Sequence, residues 1–154
     1  MAKRYLVCVY SVDSGRHAIL ADDGVIGVLY LHAPSTDPTK TGGVEGAGFA
    51  FNRKPPVGLG EVAGFQPGPP PIAKGSASPE AVCVEPMGHR WRLKFSADGS
   101  AVLLTRDAEP WVVVSLATPR GFSRAVAKPG PWGKPWSDDV YEETDWTGRT
   151  KRCT

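Results

Sequence analysis

The stretch HRWRLKFSADGSAVLLTRDAEPWVVVSL, residues 89–116, decides the fold class. Within residues 89–96, apolar and basic side chains alternate in the period of a strand with one buried face, with Trp91, Leu93 and Phe95 set against Arg90, Arg92 and Lys94. The Asp98-Gly99 pair that follows is a strong hairpin signal. Together with apolar runs at 81–85, 101–105 and 111–116, this pattern predicts a four-stranded antiparallel meander.

The N-terminal third predicts a second meander. Residues 5–12 are apolar on both alternating faces, which indicates a strand that is covered on both sides. Shorter runs at 17–20 and 25–32 are separated from it and from each other by Asp/Gly turns. A weaker strand at 46–51 contains Gly46 and Gly48, which mark a bulge or a close approach of another backbone. We therefore expect a mainly β fold of about seven or eight antiparallel strands, arranged as a sandwich or a partly open barrel.

One short C-terminal helix is expected after the second meander. Thr118 and Pro119 have the composition of an N-cap followed by the first helical position, so the helix is predicted to run to about Ala127. Ser137 is in a position to cap one further helical turn beyond it. On such a helix Arg120, Arg124 and Lys128 would share one stripe, which could bind phosphate or an acidic partner. A solvated face is the simpler interpretation of this stripe.

The chain of 154 residues corresponds to a single β-rich domain, residues 1–154. Residues 53–79 contain seven prolines and five glycines and are predicted to form one long loop with a polyproline II stretch at 69–71. This loop is a functional candidate because loops of such length are unusual in compact domains. Residues 129–154 form an irregular tail rich in tryptophan and acidic residues.

Charge and cysteine content bound the class of protein. The 18 basic and 16 acidic side chains leave a net charge of +2, which by itself indicates neither nucleic acid nor a membrane as the partner. No secretory signal and no membrane-spanning apolar run is found. An odd number of cysteines without a signal is typical of a cytoplasmic protein with reduced thiols, so Cys8 and Cys83 are expected to be buried thiols.

The tail carries the leading candidate site, an acidic surface with aromatic anchors. It consists of Trp132, Trp136, Asp138, Asp139, Tyr141, Glu142, Glu143 and Trp146. Tryptophan and tyrosine are enriched in binding hot spots, and acidic groups attract a basic partner. The tail therefore predicts a non-enzymatic binding module, in concrete terms an inhibitor or immunity-type protein of a basic partner. The alternative is structural: the rings fold back over a sheet face and the acids pair with nearby arginines.

The basic ladder of Arg90, Arg92 and Lys94 gives an alternative function, nucleic-acid binding along a sheet face. The sequence disfavours this function because no aromatic residue interleaves with the three basic side chains, as base stacking requires. A solvated outer face is the simpler interpretation.

A small hydrolase or transferase is the other alternative. His17, His32 and His89 are the only histidines, and the fold could bring one of them to Cys8, Cys83 or a carboxylate in a pocket under residues 53–79. No linear catalytic motif supports this arrangement, so no catalytic residue is assigned. The sequence predicts no cofactor, and no spacing of cysteine and histidine matches a zinc site.

Overall fold

The computed structural model describes residues 3–37, 40–65 and 69–153. Two five-stranded sheets pack face to face as a β-sandwich, which confirms the predicted mainly β class. The first sheet has the order β10-β1-β2-β3-β4 and is antiparallel throughout. Its strands are β1 (Arg4–Ser11), β2 (His17–Asp22), β3 (Ile26–His32), β4 (Val44–Asn52) and β10 (Thr150–Arg152).

The second sheet has the order β5-β6-β7-β8-β9. Its strands are β5 (Trp91–Phe95), β6 (Ala101–Arg106), β7 (Glu109–Ser115), β8 (Phe122–Ser123) and β9 (Lys134–Pro135). The pairs from β5 to β8 are antiparallel, whereas β8 and β9 run parallel. Two 3₁₀ segments, Leu59–Phe65 and Pro86–Gly88, and one α-helix, α1 (Asp138–Glu143), complete the described elements.

Two sequence predictions for the second sheet are wrong. Residues 81–85 form no strand: Val82 makes only an isolated parallel bridge with Asn52 at the end of β4. Residues 118–127 form no helix, because Gly121 adopts a φ of +75° and the following Phe122 and Ser123 pair with β7 as β8. The one helical turn lies at α1, where the Ser137 side chain accepts a hydrogen bond from the Val140 N–H as the predicted cap.

The inner faces of both sheets form the main core. Apolar side chains meet between the layers, with Leu20, Leu29, Leu31 and Phe51 from the first sheet and Phe95, Val102, Leu104, Trp111 and Val112 from the second. The fully buried Trp111 indole donates a hydrogen bond from Nε1 to the Ala50 carbonyl, 2.8 Å away in β4. The burial of this aromatic ring is therefore combined with a polar contact that joins the two sheets.

The outer face of the first sheet is covered as well, as the apolar composition of its strands requires. Ile26 and Val28 of β3 pack in a second cluster with residues from the Pro/Gly-rich segment and from the chain after β7, namely Val62, Ile72, Ala73, Ala125, Val126 and Trp132. The described part of residues 53–79 is thus a packing layer with a short 3₁₀ turn. Residues 69–71 belong to no helix or strand, and the polyproline II conformation predicted for them stays a prediction. Residues 66–68 of the same predicted loop lie outside the described residues.

Strand β4 approaches β7 so closely that only glycine fits at two positions. A Cβ atom on Gly48 would lie 2.6 Å from a methyl of Val112 and 2.7 Å from one of Val114, and a Cβ on Gly46 would lie 2.6 Å from Val114. These distances are shorter than any normal van der Waals contact. The close approach that the two glycines predict is confirmed: both positions meet valine side chains, and Gly46 also meets the backbone of Pro119.

We expect Gly48→Ala to lower the free energy of unfolding by about 1–3 kcal/mol, because the new methyl group overpacks the contact between the sheets. Urea unfolding followed by tryptophan fluorescence measures the change. Gly43→Ala is the matched control, since a Cβ at Gly43 meets nothing within 4 Å. Equal unfolding midpoints for the two variants would contradict the close approach.

A disulfide bond joins Cys8 of β1 to Cys153, which follows β10, across 145 residues of chain. Their Cα atoms lie 5.4 Å apart, within the range that disulfides span. The prediction of a reduced Cys8 is therefore wrong: spacing along the chain gives no sign that β10 returns beside β1. Cys83 is buried and free, as predicted.

Reduction of the Cys8–Cys153 bond should lower the free energy of unfolding by about 2–5 kcal/mol, because the unfolded chain regains the freedom of a very long loop. Urea unfolding with and without dithiothreitol measures this change. The double variant C8S/C153S serves as the control and should not respond to the reductant. Three thiols accessible in the denatured, unreduced protein would show that the bond is absent.

Candidate functional site

The tail surface is built on the second sheet. After β9 at one edge of this sheet, the chain forms α1 and then reaches the end of β5 at the opposite edge, where Ala97 N–H donates to the Asp145 carbonyl at 2.8 Å. Leu103 and Val113 point to the outer face between these edges and are buried, as expected if the crossing segment covers that face. The tail is therefore attached to the sandwich at both of its ends.

Three aromatic rings of the tail form a continuous row. The centroids of Trp136 and Tyr141 are 5.9 Å apart, and those of Tyr141 and Trp146 are 6.5 Å apart. The Trp136 Nε1 donates to Asp138 Oδ1 at 2.8 Å, and the Trp146 Nε1 donates to the Tyr141 carbonyl at 2.9 Å. All three rings are half-buried, so one part of each ring packs and the other part meets solvent.

Trp136 also makes a cation–π contact with Arg124. The guanidinium of Arg124 lies 4.7 Å from the centroid of the Trp136 ring and donates from Nε to the Pro110 carbonyl at 2.6 Å. Arg124 is 3.6 Å from Glu109. Of the three residues on the predicted basic stripe, Arg124 therefore has a structural role, whereas Arg120 and Lys128 are exposed and share no helix with it.

The acidic residues of the tail are exposed. They are Asp138, Asp139, Glu142 and Glu143, all on α1. The ion pairs found among the described residues include none of these four carboxylates. The expectation that tail acids pair with nearby arginines is not met in the part of the chain that the structure describes.

The two pairs of acidic residues in α1 have opposite effects on the stability of the helix. Asp138 and Asp139 occupy the first turn, where the helix dipole favours negative charge. Glu142 and Glu143 lie at the C-terminal end, where the same dipole disfavours it and where no basic residue compensates. Helix stability alone therefore does not account for the two glutamates.

Trp132 was predicted to belong to the acidic aromatic surface of the tail, but it is buried in the second core cluster. Its ring is only 4% exposed and belongs to the second core cluster, against Val126 and Ile72. Its Nε1 donates to the Pro70 carbonyl at 3.1 Å. Trp132 is thus a core residue in this structure and is not part of the tail surface.

The basic ladder lies where the alternation predicts it. Strand β5 buries Trp91, Leu93 and Phe95 and exposes Arg92 and Lys94, with Arg90 exposed just before the strand. β5 is an edge strand, and exposed charged side chains protect such an edge against pairing with another chain. The aromatic side chains of the strand face the core, so none of them is available for base stacking beside the ladder.

His89 and Asp107 form a pair at the end of the second sheet. His89 Nδ1 lies 2.7 Å from Asp107 Oδ2, and the Arg90 N–H donates to Asp107 Oδ1 at 2.8 Å. The hydrogen bonds from Arg90 and His89 hold the pKa of Asp107 below its usual value. His89 also contacts the Trp91 ring edge-on, at 5.8 Å between centroids.

The other two histidines lie on the first sheet. His17 and His32 face each other across β2 and β3, and Tyr10 lies 5.4 Å from His17. Burial lowers the pKa of His17, and the nearby His32 lowers it further. The carboxylates close to His17 in sequence have other partners: Asp13 binds Arg149, Asp22 binds Arg4 and Arg53, and Asp23 accepts from the backbone of Val25 and Ile26.

The cysteines and the cavity under residues 53–79 give little support to the predicted hydrolase. Cys8 is in the disulfide, and burial raises the pKa of the Cys83 thiol, so neither supplies a thiolate near neutral pH. The cavity beside the described part of this segment has a volume of about 50 Å³. Its lining is Gly24, Val25, Lys54, Pro55, Val57 and Pro71, which includes none of the three histidines.

Metal-binding clusters and membrane-spanning helices are not found in the described residues. Among residues 3–37, 40–65 and 69–153, no group of three or more His, Cys, Asp or Glu side chains is arranged to hold a metal ion. Within the same residues, no helix has the length and hydropathy that crossing a bilayer requires.

Comparison with known proteins identifies no relative of this chain. No family model, no curated protein and no solved structure matches it. Its function is therefore inferred from its own surfaces.

The sequence did not single out the turn between β6 and β7 as part of a site. Asp107 and Ala108 both have positive φ, of 51° and 71°, although neither is glycine. A two-residue hairpin of this type normally takes Asn-Gly or Asp-Gly. The sequence signal for this turn is the two-residue loop of Asp107 and Ala108, which joins two clearly predicted strands without a glycine.

Replacing Ala108 by glycine should raise the free energy of unfolding by about 0.5–1 kcal/mol. Removal of the Cβ relieves left-handed strain of about 1–2 kcal/mol, offset in part by the larger entropy of glycine in the unfolded chain. Thermal and urea unfolding measure the gain. Ala117→Gly, at an exposed position without positive φ, should instead lose stability; a loss in both variants would contradict the strained turn.

Proposed function

We propose that this protein is a non-enzymatic binding module that engages a basic surface of another protein through α1 and the aromatic row beside it. An inhibitor or immunity-type protein is the concrete form of this proposal. The observation that carries it is the set of four exposed carboxylates on the six-residue helix α1, without an ion-pair partner among the described residues.

The charge distribution supports a basic partner. The chain as a whole has a net charge of +2, so a concentration of four negative charges on α1 contrasts with the rest of the molecule. Complementary charge speeds the encounter of two proteins and fixes their relative orientation. Glu142 and Glu143 are placed against the helix dipole, and an external cation would offset that unfavourable position.

The aromatic row supports the same surface as the contact. Trp136, Tyr141 and Trp146 combine large apolar faces with hydrogen bonds that already fix their orientation. Rings held rigidly before binding lose little conformational entropy when a partner covers them. The half-buried rings would supply the apolar anchors, and the acids around them would supply the attraction.

The cytoplasmic location predicted from the sequence stays a prediction. The Cys8–Cys153 disulfide weighs against it, because structural disulfides persist mainly in oxidising environments. A partner outside the cytoplasm is therefore compatible with the proposed binding role.

The test uses two triple variants that remove equal charge from exposed sites. Asp139→Asn/Glu142→Gln/Glu143→Gln removes three of the four negative charges of α1 and leaves Asp138, which accepts the Trp136 hydrogen bond, in place. Glu61→Gln/Glu80→Gln/Glu85→Gln is the matched control at exposed positions away from α1. Each tagged protein is incubated with nuclease-treated lysate of the source organism, and bound proteins are quantified by mass spectrometry.

We expect one stoichiometric basic partner with the wild-type protein and with the control, and a loss of about tenfold or more in affinity for the α1 variant. With the purified partner, the association rate should fall as salt is raised. Equal capture by both triple variants would contradict the assigned surface. Capture of no partner at all would contradict the binding role.

A further inference from the structure

An open cleft lies beside the turn that joins β6 and β7. It has a volume of about 690 Å³ and is lined by Gly88, His89, Arg90, Arg92, Asp107 and Ala108. These residues come from two separate segments of the chain, the start of β5 and the β6–β7 turn. The lining of the cleft includes no residue of α1 or of the aromatic row, so the cleft is a site distinct from the proposed protein-binding surface.

The His89–Asp107 pair sets the chemistry of one wall. Because the carboxylate accepts the hydrogen bond at Nδ1, the neutral ring of His89 has its proton on that nitrogen and its lone pair on Nε2. The other carboxylate oxygen of Asp107, Oδ1, accepts a hydrogen bond from the Arg90 N–H. Both carboxylate oxygens are therefore engaged within the wall, and the pair leaves Nε2 as the nitrogen that can meet a ligand.

The turn that carries Asp107 is held in a strained conformation. Positive φ at Asp107 and Ala108 is uncommon for residues with a Cβ, and it persists here under three fixed contacts. Two of them are the hydrogen bonds to the Asp107 side chain, and the third joins the Asp107 N–H to the Arg90 carbonyl at 2.8 Å. Strain of this kind is concentrated at binding and catalytic sites, where it fixes the geometry in advance.

Two guanidinium groups supply the positive charge of the cleft. Arg90 and Arg92 are two residues apart on one face, which places their Cα atoms about 7 Å from each other. Both side chains are exposed, and no ion pair or side-chain hydrogen bond to either is found in the described part of the chain. Two arginines with no internal acceptor, facing one concave surface, are suited to bind an anion with several oxygens.

We propose that this cleft binds a phosphate group, either as inorganic phosphate or as a phosphate ester. Arg90 and Arg92 donate hydrogen bonds to its oxygens, and His89 Nε2 accepts a hydrogen bond from a protonated oxygen of the phosphate. Asp107 positions His89 through its hydrogen bond, and its one negative charge against the two guanidinium charges of Arg90 and Arg92 leaves these three side chains with a net charge of +1.

The test is a titration of the ¹⁵N-labelled protein with sodium phosphate, followed by amide chemical shifts at constant ionic strength. We expect saturable shifts confined to residues 88–92 and 106–109. Constant ionic strength matters because it separates binding at the cleft from general screening of surface charge. Scattered or non-saturating shifts would overturn the proposal.

Single-charge variants locate the ligand. Arg90→Gln and Arg92→Gln should each weaken phosphate binding about tenfold, equivalent to about 1.4 kcal/mol. Lys94→Gln is the matched control, because Lys94 lies on the same face of β5 and is exposed but does not line the cleft. If Arg92→Gln and Lys94→Gln weaken phosphate binding equally, the effect comes from the overall positive charge of the surface, and the proposed site is overturned.

The same titration distinguishes the sources of the phosphate. A nucleoside 5′-monophosphate is compared with a single-stranded oligonucleotide at equal phosphate concentration. Binding that depends on Arg90 and Arg92 but not on Lys94 supports a small phosphate ester. A strand that binds more tightly and loses affinity equally in all three variants would overturn the cleft in favour of the whole basic ladder acting on nucleic acid.

Discussion

The structure depends on the close approach of β4 to the second sheet. Gly46 and Gly48 present no Cβ atoms to Val112 and Val114, so the two backbones come nearer than any larger side chain would permit. At this distance the Trp111 indole reaches the Ala50 carbonyl. The Ser123 hydroxyl likewise donates to the Phe49 carbonyl at 2.6 Å. One side of the sandwich is therefore closed by buried hydrogen bonds in addition to apolar packing, and buried polar groups that are fully paired specify one arrangement of the layers.

The outer face of each sheet also carries buried apolar side chains, so each is covered by a further segment of the chain. The first sheet receives the described part of the Pro/Gly-rich segment and the chain around Val126 and Trp132. The second sheet is crossed by the segment that contains α1, which is attached at β9 and again beside Phe95, where the Gly148 N–H donates to the Phe95 carbonyl at 3.0 Å. The chain then pairs with β1 as β10 and is joined to it by the disulfide. The tail is thus attached to the sandwich before α1 at β9 and at several points after it.

The sequence predicted those features that follow from local pattern. Alternation gave β5 its buried and exposed faces, the paired glycines of β4 predicted a close approach, and Ser137 predicted a helix cap. The predictions at 118–127 and for Cys8 failed, because β8 pairing around Gly121 and the return of β10 to β1 are contacts between distant segments. For the tail, composition identified the aromatic and acidic residues but could not separate the buried Trp132 from the half-buried Trp136, since both follow a proline in irregular chain.

The second sheet carries both charged surfaces, and they have opposite signs. The acids of α1 lie on the segment that crosses this sheet, whereas Arg90 and Arg92 line a cleft at the end of the same sheet, beside the β6–β7 turn. The acids of α1 and the two arginines could in principle form ion pairs with each other. The ion pairs of the described residues include none between these two sets. Exposed ion pairs contribute little to stability, so their absence costs the fold almost nothing. Each set therefore remains available to an outside ligand, and the ligands must differ: a cationic protein surface suits the carboxylates, and a small anion with several oxygens suits the guanidinium groups.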